Sequence, residues 1–328
     1  MFDIIAMGEA VIDLTYLGKS EDGNATYERQ PGGAPSNMLT AATKWDVETS
    51  LIGMVGNDSF GKFLERVIRK QGIHTDNLVF SNDYPTFIAL VDLDETGERT
   101  FYRIQKESAL DQFTLKNVDF EKLEPCKIFH IAGSMMTMER PLTVVQQAMR
   151  WAKTNGILLS CDVNWRSALC DENYVKEVMR PYVFQFDIVK VSEEELALIS
   201  GTSDLEKGCS ILRDAGVRLV AVSRGKYGCY YSYAGGNEQL WTYDTNIVDT
   251  NAAGDTFTGI LLAQICKEKE VLERIPLKRM HEIMDRANAG GAMCAAKRGA
   301  IYAIPNREEV EQCRKTIPFL SFDKEDKK

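Results

Sequence analysis

Asp249-Thr250-Asn251-Ala252-Ala253-Gly254-Asp255-Thr256-Phe257-Thr258-Gly259 runs without a break into Ile260-Leu261-Leu262-Ala263. Turn formers, three small residues and then an apolar block predict a loop feeding the N-terminus of a buried helix. At such an end the first backbone N–H groups lack intrahelical partners, and the helix dipole adds partial positive charge. Ala252, Ala253 and Gly254 carry no bulk that would keep an anion from those amides. Asp255 sets a carboxylate at the same spot. That combination suits phosphoryl transfer, in which a base deprotonates a hydroxyl while the helix end holds the phosphate under attack. The plainer reading is that Asp255 only favours the first helical turn, so the rest of the chain has to choose.

Upstream of this stretch, from about residue 125, apolar runs alternate with helical patterns. Strands are expected at 127–131, 157–162, 187–191 and 219–222, with helices at 139–155, 171–181, 193–200 and 204–215. Further helices are expected at 281–298 and 306–315. Such alternation predicts an α/β fold, a doubly wound, mostly parallel sheet with helices on both faces. Polar residues fall just after the strands: Asp162-Val163-Asn164-Trp165-Arg166, then Lys190-Val191-Ser192-Glu193-Glu194-Glu195, then Ser223-Arg224-Gly225-Lys226-Tyr227-Gly228. Each has a plain structural reading, Ser192 with Glu195 being a capping box. Their placement at consecutive strand ends, with 249–255 on the same side, favours one shared site. His130 sits inside an apolar strand and reads as a core or local-site histidine, not a ligand.

Toward the N-terminus, Phe2–Gly8 reads as a buried strand followed by Glu9 and Asp13. Asp13 either binds a polyol or is solvated at a sheet edge. Pro31-Gly32-Gly33-Ala34-Pro35-Ser36-Asn37 lets backbone approach a ligand, and Asn37 offers both a donor and an acceptor. Residues 51–56 read as a second strand and 62–71 as a helix. Two extended runs around Asp94-Glu95-Thr96-Gly97 form a hairpin signal. With residues 14–30 they predict a small β lid inserted in the body. The expected organisation is a body of 1–12, 31–85 and 104–318, a lid of 13–30 and 86–103, and a charged tail of 319–328.

Composition narrows the function. The chain has 328 residues, a net charge of −9, 44% hydrophobic residues and 27% charged ones. This fits a globular protein and argues against general nucleic-acid binding or attraction to an anionic membrane. Eight cysteines without a C-x-x-C pair, and only three histidines, make a zinc site unexpected. Scattered apolar cysteines, an acidic N-terminal stretch and no long apolar run predict a cytoplasmic protein without signal peptide or membrane span. No G-x-G spacing supports a dinucleotide fold. Gly18-Lys19-Ser20 lacks the first glycine of a P-loop, with Asp13 in its place.

Asp-Thr-Asn-Ala-Ala-Gly-Asp (249–255), Gly-Gly-Ala-Pro-Ser-Asn (32–37), Ser192–Glu195 and Ser223–Gly228 together resemble the signatures of the ribokinase-like (pfkB) carbohydrate kinases, nearly end to end. Ser192 stands where the family motif has Asn, and Ser223 where it has Thr. Leu39, Asp46 and Ile260 depart at positions that affect helix packing. Asp162–Arg166, Lys190–Glu195 and Gly97–Arg103 look most like fructokinases, with 2-keto-3-deoxygluconate kinases the nearest alternative.

The resemblance implies an ATP-dependent sugar kinase in which Asp255 takes the hydroxyl proton and the amides of Ala252, Ala253 and Gly254 hold the transferring phosphoryl group. It implies Arg166 and Asn164 on the phosphates, and Glu195 orienting Mg²⁺ through water. Asp13, Gly32, Gly33 and Asn37 would bind sugar hydroxyls, with Phe101 and Arg103 closing from the lid. Lys190, Ser192, Ser223, Gly225, Gly228 and Asn288 would border the nucleotide, and K⁺ would sit near Asp249 and Asn251. The lid would also offer a homodimer surface. A catalytically silent sensor on the same fold is the reading from another class; the retained Asp255, Gly254 and Arg166 speak against it.

Overall fold

The computed structural model describes residues 1–93, 99–104 and 107–321; the side chains of 91–103 lie outside the description. Its central strand is β1 (Phe2–Met7), which alternates with period two. Ile4 and Ala6 enter one core, Ile5 and Met7 the other, and all four are fully buried. A strand apolar on both faces belongs inside a parallel sheet.

After β1 the chain leaves the body as β2 (Val11–Lys19) and β3 (Ala25–Gly32), then returns as α1 (Ala34–Thr43). β4 (Thr49–Gly56), α2 (Ser59–Lys70) and β5 (Leu78–Ser81) follow. Asp58 caps α2 by accepting from the amides of Phe60 and Gly61, and its other oxygen accepts from Thr86 N at 2.8 Å. That fixes the root of β6 (Ile88–Leu93), which pairs antiparallel with β7 (Arg99–Arg103). The hairpin turn, 94–98, lies outside the described residues.

The expected alternation then appears. β8 (Cys126–Ala132), α3 (Glu139–Thr154) and β9 (Leu158–Asp162) are followed by a helical stretch in pieces. α4 (Glu172–Tyr174), a π-helical turn over Val175–Met179 and α5 (Arg180–Val183) replace the single helix expected at 171–181. Pro181, at the second position of α5, has no N–H to carry a ladder through that point. β10 (Ile188–Ser192), α6 (Glu193–Ser200), α7 (Leu205–Asp214) and β11 (Leu219–Ser223) come next. Then follow β12 (Cys229–Tyr233), β13 (Gly236–Leu240), α8 (Ala253–Cys266), α9 (Leu277–Ala295) and α10 (Arg307–Thr316).

Nine strands form one sheet in the order β13-β12-β11-β10-β9-β8-β1-β4-β5. Pairing is parallel from β11 to β5, and antiparallel only at β12 and β13. Side chains of α1, α2, α8, α9 and α10 fill the core on one face; those of α3, α6 and α7 fill the other. This is the doubly wound, mostly parallel fold expected from the sequence. A separate four-stranded sheet, β3-β2-β6-β7, is joined by a parallel β2–β6 pairing. At the C-terminus, Phe319 bridges Tyr243 and Leu320 N donates to Thr242 O at 2.8 Å, so the chain stays attached past α10. Residues 322–328 of the expected tail lie outside the described residues. No helix among the described residues is long and apolar enough to cross a membrane.

Candidate active site

The 249–255 loop is held from both sides. Asp249 Oδ1 accepts from Asn251 N at 2.8 Å and Oδ2 from Gly299 N at 3.1 Å, while the amides of Val248 and Asp249 donate to Ala295 O. Ala252 caps α8 in the left-handed conformation, φ 61° and ψ 4°, and supplies no side-chain cap. Thr256 is the first residue to donate back, to Ala252 O at 2.8 Å, so the N–H groups of Gly254 and Asp255 have no intrahelical acceptor. The expected three-amide cradle is narrower here, because Ala253 N turns to Thr250 O at 3.3 Å. Among the described residues three non-glycines have positive φ: Asp46, Asn164 and Ala252. Asn164 and Ala252 both line the site, and strained backbone of this kind persists where its surroundings over-determine it.

Two cavities meet at Asp255. One, about 150 Å³, lies beneath the four-stranded sheet and is walled by Asp13, Gly33, Asn37 and Ala89. The other, about 390 Å³, opens beside α6 and is walled by Lys190, Ser192, Glu195, Ala252 and Gly254. Asn164, Arg166, Asn251 and Asp255 belong to both. A carboxylate at the only shared wall can take a proton from a group in the first cavity as that group attacks something held in the second.

The electrostatics match that position. Burial pushes Asp255 up to about 7 and the nearby Asp162 carboxylate adds to it, while Asn37, Lys190 and Arg166 pull the other way. Asn37 Nδ2 donates to Asp255 Oδ2 at 2.8 Å. Lys190 Nζ lies 3.2 and 3.1 Å from the two oxygens of Asp162, and both residues are buried. Burial works against the ammonium charge, but Asp162, Glu195 and Asp255 outweigh it and hold Lys190 above its ordinary range. A Cβ on Gly254 would stand 3.1 Å from Lys190 Nζ, so a side chain there would crowd the cation out of the anion loop.

Asp162 and Thr258 stand in stretches singled out from the sequence, but neither is assigned a role of its own there. Thr258 Oγ1 donates toward Asp162 Oδ2 at 3.2 Å and Gly254 O at 3.0 Å, tying the first turn of α8 to β9. Glu9 is another: Oε1 accepts from Ala34 N at 3.1 Å and Oε2 from Ser134 Oγ, which fixes the start of α1. Burial raises its pKa. The available signal was position alone, an acid at the carboxyl end of a central strand.

Of the other expected residues, Glu195 accepts from Trp165 N and Ser192 N, each at 2.7 Å, while Ser192 Oγ accepts from Glu195 N at 3.1 Å. The capping box therefore also holds the loop that carries Asn164 and Arg166. Burial raises the Glu195 pKa against the opposing pull of Lys190. Gly32 lies under Asp13, whose Oδ2 would be 2.2 Å from an added Cβ. Ser223 stands beside Ser192 in the β10–β11 register. Gly225 and Gly228 shape the turn after β11, and a Cβ on Gly228 would strike Leu240 O at 2.1 Å. Asn288 Nδ2 donates to Trp241 O at 2.8 Å, beside that turn. Gly32, Ser223, Gly225, Gly228, Asp249, Ala253 and Asn288 sit outside the two cavity walls. Phe101 and Arg103 lie on β7, but their side chains are outside the described ones.

Residues 1–307 match the family model for pfkB family carbohydrate kinases. The chain is 32% identical to fructokinase-1 of Zea mays over 316 residues, 94% of this chain and 96% of that protein. A fructokinase from Xylella fastidiosa with bound ATP has a TM-score of 0.86 and 25% identity, covering 96% of this chain and 99% of that one. A fructokinase from Vibrio cholerae O395, solved with fructose, ADP and calcium ion, has a TM-score of 0.84 and 26% identity, covering 95% and 98%.

Proposed function

On the premise that the chain belongs to the pfkB family of carbohydrate kinases and is a phosphotransferase with an alcohol acceptor, we propose that it phosphorylates fructose to fructose 6-phosphate with ATP. The observation carrying the choice of a neutral sugar is the charge of the smaller cavity. Its described walls hold the acid side chains of Glu9, Asp13, Asp111, Asp162 and Asp255 together with the guanidinium of Arg166. An acidic acceptor such as 2-keto-3-deoxygluconate would bring a further carboxyl group into a partly desolvated space already lined by acid side chains. A polyol meets instead a set of hydrogen-bond acceptors.

In this reading the sugar lies under the small sheet with Asp13, Gly33 and Asn37 on its hydroxyls and Gly32 packed against Asp13; Phe101 and Arg103 of β7 belong to the same proposal. Its primary hydroxyl points at Asp255, which takes the proton. The N–H groups of Ala252 and Gly254 hold the phosphoryl oxygens, Ala253 shaping the loop with its own N–H turned to Thr250, with Lys190 behind them and Arg166 and Asn164 across. Ser192, Ser223, Gly225, Gly228 and Asn288 lead away along the nucleotide. The fructokinase relative solved with ATP supports that donor.

Among the described residues no cluster of three His, Cys, Asp or Glu side chains could hold a metal. A wall carrying Glu194, Glu195 and Asp255, with Glu195 placed to orient the ion through water, suits Mg²⁺, which keeps several waters and is bound largely by substrate phosphates. Such an ion neutralises charge on the phosphates. Asp249 with the carbonyl of Asn251 is the place for K⁺, and Asp249 itself pins the loop. A homodimer through the four-stranded sheet belongs to the same proposal, as does a cytoplasmic location.

ADP release with Mg·ATP and K⁺ across fructose, 2-keto-3-deoxygluconate, ribose, tagatose and adenosine tests the acceptor. Fructose should be preferred, with the keto-acid poorest in kcat/KM. A preference for the keto-acid would overturn the neutral-sugar reading.

The pH profile is a separate test. With Asp255 at about 7 in the free enzyme, kcat/KM should rise about tenfold per pH unit below 7 and level off above it. Asn37→Ala removes a hydrogen bond that favours the ionised carboxylate, so the acid limb should move to higher pH.

A further inference from the structure

One polar side chain of the smaller cavity has no part in the reading above. His130 comes up in the middle of β8, flanked in register by Ala6 of β1 and Ser160 of β9. The three side chains stand abreast on one face of the sheet. Ala6 leaves room on one side, and Ser160 Oγ lies 2.8 Å from His130 Nδ1 on the other. Both partners are almost fully enclosed, at 2% and 1% exposure. Yet His130 is part of the cavity wall that also holds Asn37 and Asp255.

Nδ1 is taken by Ser160, and no donor or acceptor among the described residues meets Nε2. That nitrogen is not one of the fully enclosed unpaired atoms but belongs to a residue of the cavity wall, where a ligand hydroxyl can meet it. The space in front of it is the smaller cavity, where the proposed sugar would lie. Burial also keeps the ring neutral, because a charged imidazolium would have to be desolvated. A neutral ring gives one donor and one acceptor nitrogen, and because the Ser160 hydroxyl can meet Nδ1 in either role, Nε2 can meet a ligand hydroxyl as donor or as acceptor.

We propose that His130 is a specificity-determining residue, whose Nε2 hydrogen-bonds one acceptor hydroxyl remote from the carbon that is phosphorylated, with Ser160 holding the ring in place through Nδ1. The proposal rests on the sugar-kinase reading but not on the choice of fructose. It also separates two jobs within one cavity. Asp255 and Asn37 deal with the reacting hydroxyl, while the sheet floor checks another one. A site built to satisfy a hydroxyl discriminates strongly against an analogue lacking it, because its own polar group is then left unpaired.

The test takes the sugar that wild-type protein phosphorylates best and its deoxy analogues, each missing one hydroxyl. Wild type should lose about 10- to 100-fold in kcat/KM on one analogue in particular. His130→Phe should lose a similar factor on the parent sugar and nothing further on that analogue. His130→Gln, which keeps a donor and an acceptor, should restore part of the loss. The KM for ATP should not move. A uniform loss for parent and all analogues would mean that His130 only packs, and would overturn the proposal; so would unchanged kinetics. If His130→Phe does not fold, Ser160→Ala serves: discrimination at the same hydroxyl should weaken, and unchanged discrimination overturns the idea. If the best acceptor is not fructose, the fructose reading falls while the deoxy series still decides the role of His130.

Discussion

Asp255→Asn should cut turnover about 10²–10⁴-fold while sugar and ATP still bind, and should at the same time make the protein more stable above pH 7. Both effects have one cause. The carboxylate sits where two cavities meet, and burial together with Asp162 holds its pKa at about 7. A folded-state pKa raised above the unfolded one contributes stability below the unfolded value and loses it as pH rises through the folded value. At pH 8 the wild-type protein therefore carries a disfavoured buried charge that Asn lacks. The variant's Tm should exceed wild type's at pH 8, and the gap should close as pH falls from 7 toward 4. Single-turnover ADP formation, calorimetric binding of each ligand and thermal melts at three pH values check the set. Retained turnover would remove Asp255 as the base; a Tm gap independent of pH would refute the raised pKa.

The second large effect is on stability. Asp162→Ala should destabilise the fold by about 3–5 kcal/mol, because it leaves the Lys190 ammonium buried without its partner. The pair lies at 3.1 and 3.2 Å, with side-chain exposures of 9% and 5%. Thr258 loses an acceptor in the same step. Asp162→Leu combined with Lys190→Met should recover more than half of the loss, since removing both charges removes the desolvation problem. Urea denaturation of the single and double variants measures this. An unchanged midpoint for Asp162→Ala would show that the pair does not hold β9, β10 and α8 together.

How much of this was legible follows from where the physics is local. β1, β8, β9, β10 and β11 show as apolar runs because both faces of a central parallel strand are buried. The anion loop shows because small residues, an acid and an apolar helix are consecutive. β12 and β13 carry a weaker signal, a Tyr-rich run before Ala234-Gly235-Gly236. There the sheet turns antiparallel at its edge, where alternation of βα units gives no guidance. The partners that tune the site were the hardest to read. Asp162 meets Thr258 from 96 residues away, and Asn37 meets Asp255 from 218 away. No local pattern encodes a contact of that separation. The narrowing of the amide cradle by Thr250 likewise depends on the left-handed turn at Ala252, which an alanine does not announce.

The way the small sheet is rooted decides which cavity it covers. β2 leaves the body and β3 re-enters it opposite each other, Val11 facing Gly32, and β6 lies alongside at Ile12–Ile88. Val11, Asp13 and Ala89 of that sheet line the smaller cavity, and none of its described residues lines the larger one. The small sheet thus roofs the cavity proposed for the acceptor and leaves the one proposed for the nucleotide uncovered by its described residues.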